Sequence, residues 1–158
     1  MKYNFFFLFT LLFLAGCDSN RVFENYKEFE DRAWRVNDPA VFEFQIKDVS
    51  KKYNLYYNVR NSLEYPYARI FVQYSLADSI GTELTKKLAS NFLFDQKTGR
   101  PLGRSGLGDV LDNQFLLLSN QSFKTEGTYR FRLDQFNRQD TLKGVLAIGL
   151  RVEAASRQ

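Results

Sequence analysis

From Val41 onward the chain repeats apolar and polar residues with a period of two. No other feature constrains the fold as much, because alternate residues of an extended strand face opposite sides. Phe42, Phe44 and Ile46 alternate with Glu43, Gln45 and Lys47, and Tyr53, Leu55, Tyr57 and Val59 alternate with Asn54, Tyr56, Asn58 and Arg60. Ile70, Val72, Tyr74 and Leu76 form the inward set of a third strand, closed by the turn Asp78-Ser79-Ile80-Gly81. Thr82 to Asp95 reads as strand, most clearly from Ala89 onward, although the spacing of Leu84 and Leu88 also fits a helical turn at its start. Residues 96–113 hold Gly99, Pro101, Gly103, Gly106 and Gly108 and read as a long structured loop. Gln114 to Leu118 begins another strand, Tyr129, Phe131 and Leu133 mark the next, and Leu146, Ile148, Leu150 and Val152 the last. Seven or eight strands with no sustained helical period predict an all-β fold, an antiparallel β-sandwich of immunoglobulin-like or jelly-roll type. The spacing leaves no room for the crossover helices that a parallel α/β sheet requires.

The start of the chain follows a different rule. Lys2 precedes ten residues, Phe5 to Leu14, that are apolar apart from Thr10, the pattern of a secretory signal. A membrane-spanning helix needs about 20 apolar residues, so this run is too short to be one. Leu14-Ala15-Gly16-Cys17 matches the lipobox of bacterial lipoproteins, which predicts cleavage after Gly16 and acylation of Cys17. Residues 1–16 are then a leader, 17–40 a lipidated N-terminus with a charged lead segment, and 41–158 the sandwich domain. Arg21 to Trp34 has a mixed pattern that suits a tether, a first edge strand or a short helical turn. Each buried methylene of an acyl chain contributes about 0.8 kcal/mol, so several chains on Cys17 make attachment to membrane lipid effectively permanent. The expected location is the cell envelope, anchored to the inner or outer membrane with the domain in the periplasm.

Composition excludes much chemistry. With no His there is no Ser/His/Asp triad or imidazole metal site, and a single Cys excludes an internal disulfide and Cys-cluster zinc motifs. Losing Lys2 with the leader leaves 21 basic against 18 acidic groups, a formal balance of +3 spread along the chain, so no nucleic-acid partner is expected. Gly103-Arg104-Ser105-Gly106-Leu107-Gly108 fits neither dinucleotide nor P-loop spacing and misses the nucleophile elbow by one position. Asp95, Asp109 and Asp112 bracket this loop without the EF-hand order and read as turn-capping carboxylates. A hydrolase built on Asp and Glu finds no supporting motif. No catalytic residue, metal, cofactor or small-molecule substrate is therefore expected. Among the crowded aromatics between Tyr53 and Tyr74, alternation turns Tyr56 and Phe71 outward, where they offer a contact surface. The alternative reading of those rings is a carbohydrate-binding module.

Several stretches together resemble the gliding-motility lipoprotein family GldH. They are Cys17-Asp18-Ser19 after the lipobox; Tyr53 through Asn61; Tyr65-Pro66; Phe92-Leu93-Phe94-Asp95 through Thr98-Gly99-Arg100-Pro101-Leu102-Gly103 to Gly106-Leu107-Gly108-Asp109-Val110; and Arg138-Gln139-Asp140 with Leu142, Gly144, Val145 and Gly149 to Val152. The resemblance implies a lipoprotein of the Bacteroidota envelope that works with the motility and type IX secretion apparatus, whose envelope proteins are its partners. It implies no enzymatic activity. Bacteria of this phylum also O-glycosylate periplasmic proteins at Asp-(Ser/Thr)-apolar triplets. Asp78-Ser79-Ile80 and Asp140-Thr141-Leu142 are similar to that pattern, which makes Ser79 and Thr141 candidate acceptors.

Overall fold

The computed structural model describes residues 20–155, and every regular element among them is a strand. In chain order these are β1 (Arg21–Glu28), β2 (Ala33–Arg35), β3 (Ala40–Ile46), β4 (Tyr53–Ser62), β5 (Arg69–Ala77), β6 (Glu83–Phe92), β7 (Arg104–Ser105), β8 (Val110–Gln121), β9 (Gly127–Gln135), β10 (Thr141–Lys143) and β11 (Val145–Ala154). All pairings are antiparallel. A five-stranded sheet ordered β1-β11-β4-β8-β7 packs against a four-stranded sheet ordered β3-β9-β5-β6, and β10 pairs with β2 in a separate ribbon. This is the antiparallel sandwich that the alternation predicts.

The inward sets form one core between the sheets. Leu55, Tyr57, Val59, Ile148, Leu150 and Val152 come from one face, and Phe44, Ile46, Ile70, Val72, Leu76, Phe131 and Leu133 from the other, all almost fully buried. Each such side chain stabilises the fold by about 1.5–3 kcal/mol through removal from water. Aromatic groups close the two ends. At one, the Phe123 ring lies 4.5 Å from Tyr129 and 5.6 Å from Tyr53, centroid to centroid. At the other, Trp34 stacks on Phe29 at 5.8 Å and its indole Nε1 donates to the Asp38 carbonyl at 2.9 Å.

Register fixes what lies at each end. The first residue of β1 pairs with the last turn of β11, and the start of β4 pairs with the end of β8, so Asn20, the 47–52 loop and the 122–126 loop share one end with the 78–82 turn. The ribbon, the 63–68 loop and the long 93–109 segment share the other.

The structure resolves two choices that the sequence reading left open and departs from that reading in two other places. Of the three options for the lead segment it takes the edge strand, β1, hydrogen-bonded to β11. β6 is strand along its whole length with no helical turn at its start, because a spacing of four residues is even and so keeps Leu84, Leu88 and Phe92 on one face of a strand as well as of a helix. The Gly-rich stretch contains the short β7, and β8 begins at Val110. Its early alternation was hidden by Asn113, an inward polar residue whose Nδ2 donates to Asn61 Oδ1 at 2.9 Å. Finally, the register shifts between Val145 and Ala147, so Val145 is buried in the core and Leu146 is only half-buried.

Candidate functional site

Alternation aims the even residues of β4 away from the core, and pairing sets them beside polar partners from three other strands. Asn58 and Arg60 of β4 stand opposite Gln114 and Asp112 of β8, while β11 lies on the other side and β1 beyond it. Tyr26 of β1 lies across β11 because its register partner is Gly149, where a Cβ would come within 2.6 Å of the ring. Asn58 Nδ2 donates to Tyr26 Oη at 2.9 Å, and Gln114 Nε2 donates to Asn58 Oδ1 at 3.0 Å. Arg60 Nε donates to Asp112 Oδ1 at 2.9 Å, with its guanidinium 5.5 Å from the Tyr26 ring centre. Arg151 Nη1 donates to Glu24 at 3.1 Å. These bonds explain how Asn58, on an outward face, is only 4% exposed. Burial, reinforced by the Glu24 carboxylate, pushes the Tyr26 hydroxyl above its ordinary pKa.

Two cavities meet over this layer. One of about 690 Å³ is lined by Tyr26, Asn58, Arg104 and Gln114, and a neighbour of about 580 Å³ by Phe29, Leu107, Val110 and Leu146. Both touch Arg60 and Asp112, so the ion pair stands between a polar and an apolar half of one trough. Asp112 is neutralised there by Arg60. The arrangement suits holding a chain by hydrogen bonds and apolar contact rather than acid–base chemistry.

The acidic residues around the Gly-rich loop are kept apart by separate tasks. Asp95 Oδ1 accepts from the Lys97 and Thr98 amides at 3.0 and 2.8 Å, which holds its carboxyl below the usual range. Asp109 accepts both guanidinium arms of Arg32 at 3.0 and 3.1 Å, with the same effect on its carboxyl. Among the described residues no three His, Cys, Asp or Glu side chains gather where a metal ion would be held. Gly103 brings the loop down on β8, where a Cβ would meet the Asn113 amide at 2.7 Å.

The aromatic candidates are not brought together. Tyr56 is on the outer face of the five-stranded sheet, beside the exposed Leu116, whereas Phe71 is on the outer face of the four-stranded sheet. Phe71 lines a groove of about 860 Å³ with Tyr67, Arg69, Leu88 and Phe136, and Arg69 sits 4.0 Å from the centre of the Phe92 ring. Ser79 is exposed in the β5–β6 turn and Thr141 is exposed on β10, at opposite ends of the sandwich. Cys17 lies outside the described residues. The trough residues Tyr26, Asn58, Arg60 and Gln114 were not read from the sequence. Their signal there is only a set of outward polar residues, which needs the strand order to become a constellation.

Comparison with known proteins gives a consistent result. The family described as GldH lipoprotein matches residues 21–152. A gliding motility lipoprotein GldH homolog from Christiangramia forsetii is 27% identical, over 94% of this chain and 93% of that one. The gliding motility lipoprotein GldH of Flavobacterium johnsoniae is also 27% identical, over 92% of each chain. Among solved structures, the infectious bursal disease virus VP2 subviral particle is similar at a TM-score of 0.39 and 8% identity, covering 86% of this chain and 31% of that one. That likeness is too loose to bear on function.

Proposed function

This chain belongs to the GldH lipoprotein family, and from that premise we propose that it is a lipid-anchored, non-enzymatic binding or scaffold component of the gliding-motility machinery and of the associated type IX secretion apparatus. The observation that carries the reading is the extent of the match. It runs from the first residue of β1 nearly to the end of β11, so the whole sandwich, and not a fragment of it, is what the family shares. The open trough and groove on the outer faces support a contact role, since both combine apolar walls with fixed hydrogen-bonding groups. Acylated Cys17 would hold the domain in the envelope, and Ser79 and Thr141 would be its glycan acceptors.

Deleting the gene and scoring spreading and secretion tests the role. Loss of spreading is expected, and normal behaviour on both counts without a redundant paralogue would overturn it. A Cys17→Ala variant should leave the membrane fraction after washing. Mass spectrometry of the native protein should find hexose-bearing peptides that include Ser79 or Thr141.

A further inference from the structure

Resting on the acylation of Cys17 proposed above, we infer that the 47–52 loop and the tip of the β5–β6 turn form a membrane-contacting end, which seats the sandwich on an anionic lipid surface. The first support is reach. Cys17 and Arg21 are four positions apart, a span of at most about 14 Å even when fully extended. Ten-residue strands such as β4 and β11 run about 33 Å. Asn20 is fixed to the body at its own end, where its carbonyl accepts the Ala154 amide at 2.8 Å. An anchor on Cys17 therefore keeps that end within a tether's length of the bilayer and leaves the ribbon and the Gly-rich loop well beyond it.

The second support is the chemistry of that end. The Ala155 amide donates to the Lys52 carbonyl at 2.8 Å, which sets the 47–52 loop beside the point where the tether enters. Lys47, Lys51 and Lys52 are exposed, and between them Val49 is 40% exposed. Val22 is 44% exposed at the start of β1, and Ile80 is 87% exposed at the tip of its turn. Aliphatic tips flanked by lysines suit a bilayer interface, where methyl groups enter the headgroup layer and ammonium groups meet phosphates. The acidic neighbours do not oppose this. Asp48 folds its carboxylate into its own loop, accepting from the Ser50 amide and hydroxyl at 3.0 and 2.6 Å and facing Lys51 at 3.5 Å. Asp78 accepts the Ile80 and Thr82 amides at 3.1 and 2.8 Å. Glu83 follows the 78–82 turn at the start of β6, and Glu126 lies beside Lys47 because Gly127 pairs with Ile46, but the exposed Lys124 of the same loop offsets it, so Lys47, Lys51, Lys52 and Lys124 outnumber Asp48 and Glu126 around the 47–52 loop. The loop is also preformed, because Tyr53 Oη donates to the Asp48 carbonyl at 2.7 Å.

The acylated mature chain in vesicles of phosphatidylethanolamine and phosphatidylglycerol, doped with a nitroxide-bearing lipid, provides the test. With Cys17 acylated, Val49→Cys, Ile80→Cys and Leu107→Cys each add a single thiol for a fluorophore. Strong quenching at positions 49 and 80 and almost none at 107 is expected. Combining Lys47→Gln, Lys51→Gln and Lys52→Gln, or replacing the phosphatidylglycerol with phosphatidylcholine, should lower quenching at 49, with about fivefold weaker loop engagement per lysine lost. Flotation with the vesicles but equal quenching at all three positions, or more at 107, overturns this inference alone. An unacylated mass with loss of flotation overturns the anchor together with it.

Discussion

Gly149 is where one hydrogen atom decides the shape of the outer face. A side chain there would press within 2.6 Å of the Tyr26 ring and 3.1 Å of the Asn25 carbonyl, so Gly149→Val should destabilise the domain by about 1–3 kcal/mol. Urea unfolding measures this, and adding Tyr26→Ala should recover part of the loss, because the ring is the yielding neighbour. Arg32 and Asp109 give a prediction in pH. The guanidinium lowers the Asp109 pKa in the folded state, so this contribution is fully present above the unfolded value of about 3.9 and is lost as pH falls through the lower folded value. Thermal melts should therefore show Arg32→Ala less stable than the parent at neutral pH, with the gap closing below about pH 4. Persistence of the full gap at low pH would contradict the pairing.

At the scale of elements, β6 is an outer strand paired only with β5, and it carries the hazard of every open edge. Lys86 faces outward beside Ser75, while Lys87 stands opposite the buried Tyr74 on the inner side. A charge turned inward at an edge discourages a second strand from docking there. Replacing both with Lys86→Val and Lys87→Val should leave the circular dichroism spectrum intact and produce concentration-dependent association by light scattering. Strands with a clean inside and outside, such as β3, β5 and β9, were legible in the sequence because burial repeats every second residue along them. β1 was legible only as one of three options, since its inner face begins with Phe23 and then carries Asn25 and Lys27, the latter held by Asp38 and the Pro39 carbonyl at the sandwich margin. The start of β8 was obscured by a buried amide pair, which looks polar in sequence and satisfies itself in space. The trough escaped for a different reason. Tyr26 and Gln114 meet through Asn58 only once β11 and β4 are interleaved between β1 and β8, and strand order is a property of long-range pairing.

For the molecule as a whole, the first long strand closes on the last. β1 is hydrogen-bonded to β11, and β11 stands between β1 and β4, so the five-stranded sheet is incomplete until β11 is available. Removing residues 145–158 should therefore abolish folding rather than trim it, seen as loss of the cooperative thermal transition and of soluble yield. The pairing of β1 with β11 also has a mechanical meaning. A pull between the anchor and a partner held at the far end would run along β1, parallel to its axis. Every rung from Arg21↔Glu153 to Glu28↔Ala147 would then be loaded together in shear instead of being unzipped one at a time. An anchor on Cys17 would hold the sandwich in the geometry that lets a hydrogen-bonded ladder bear tension.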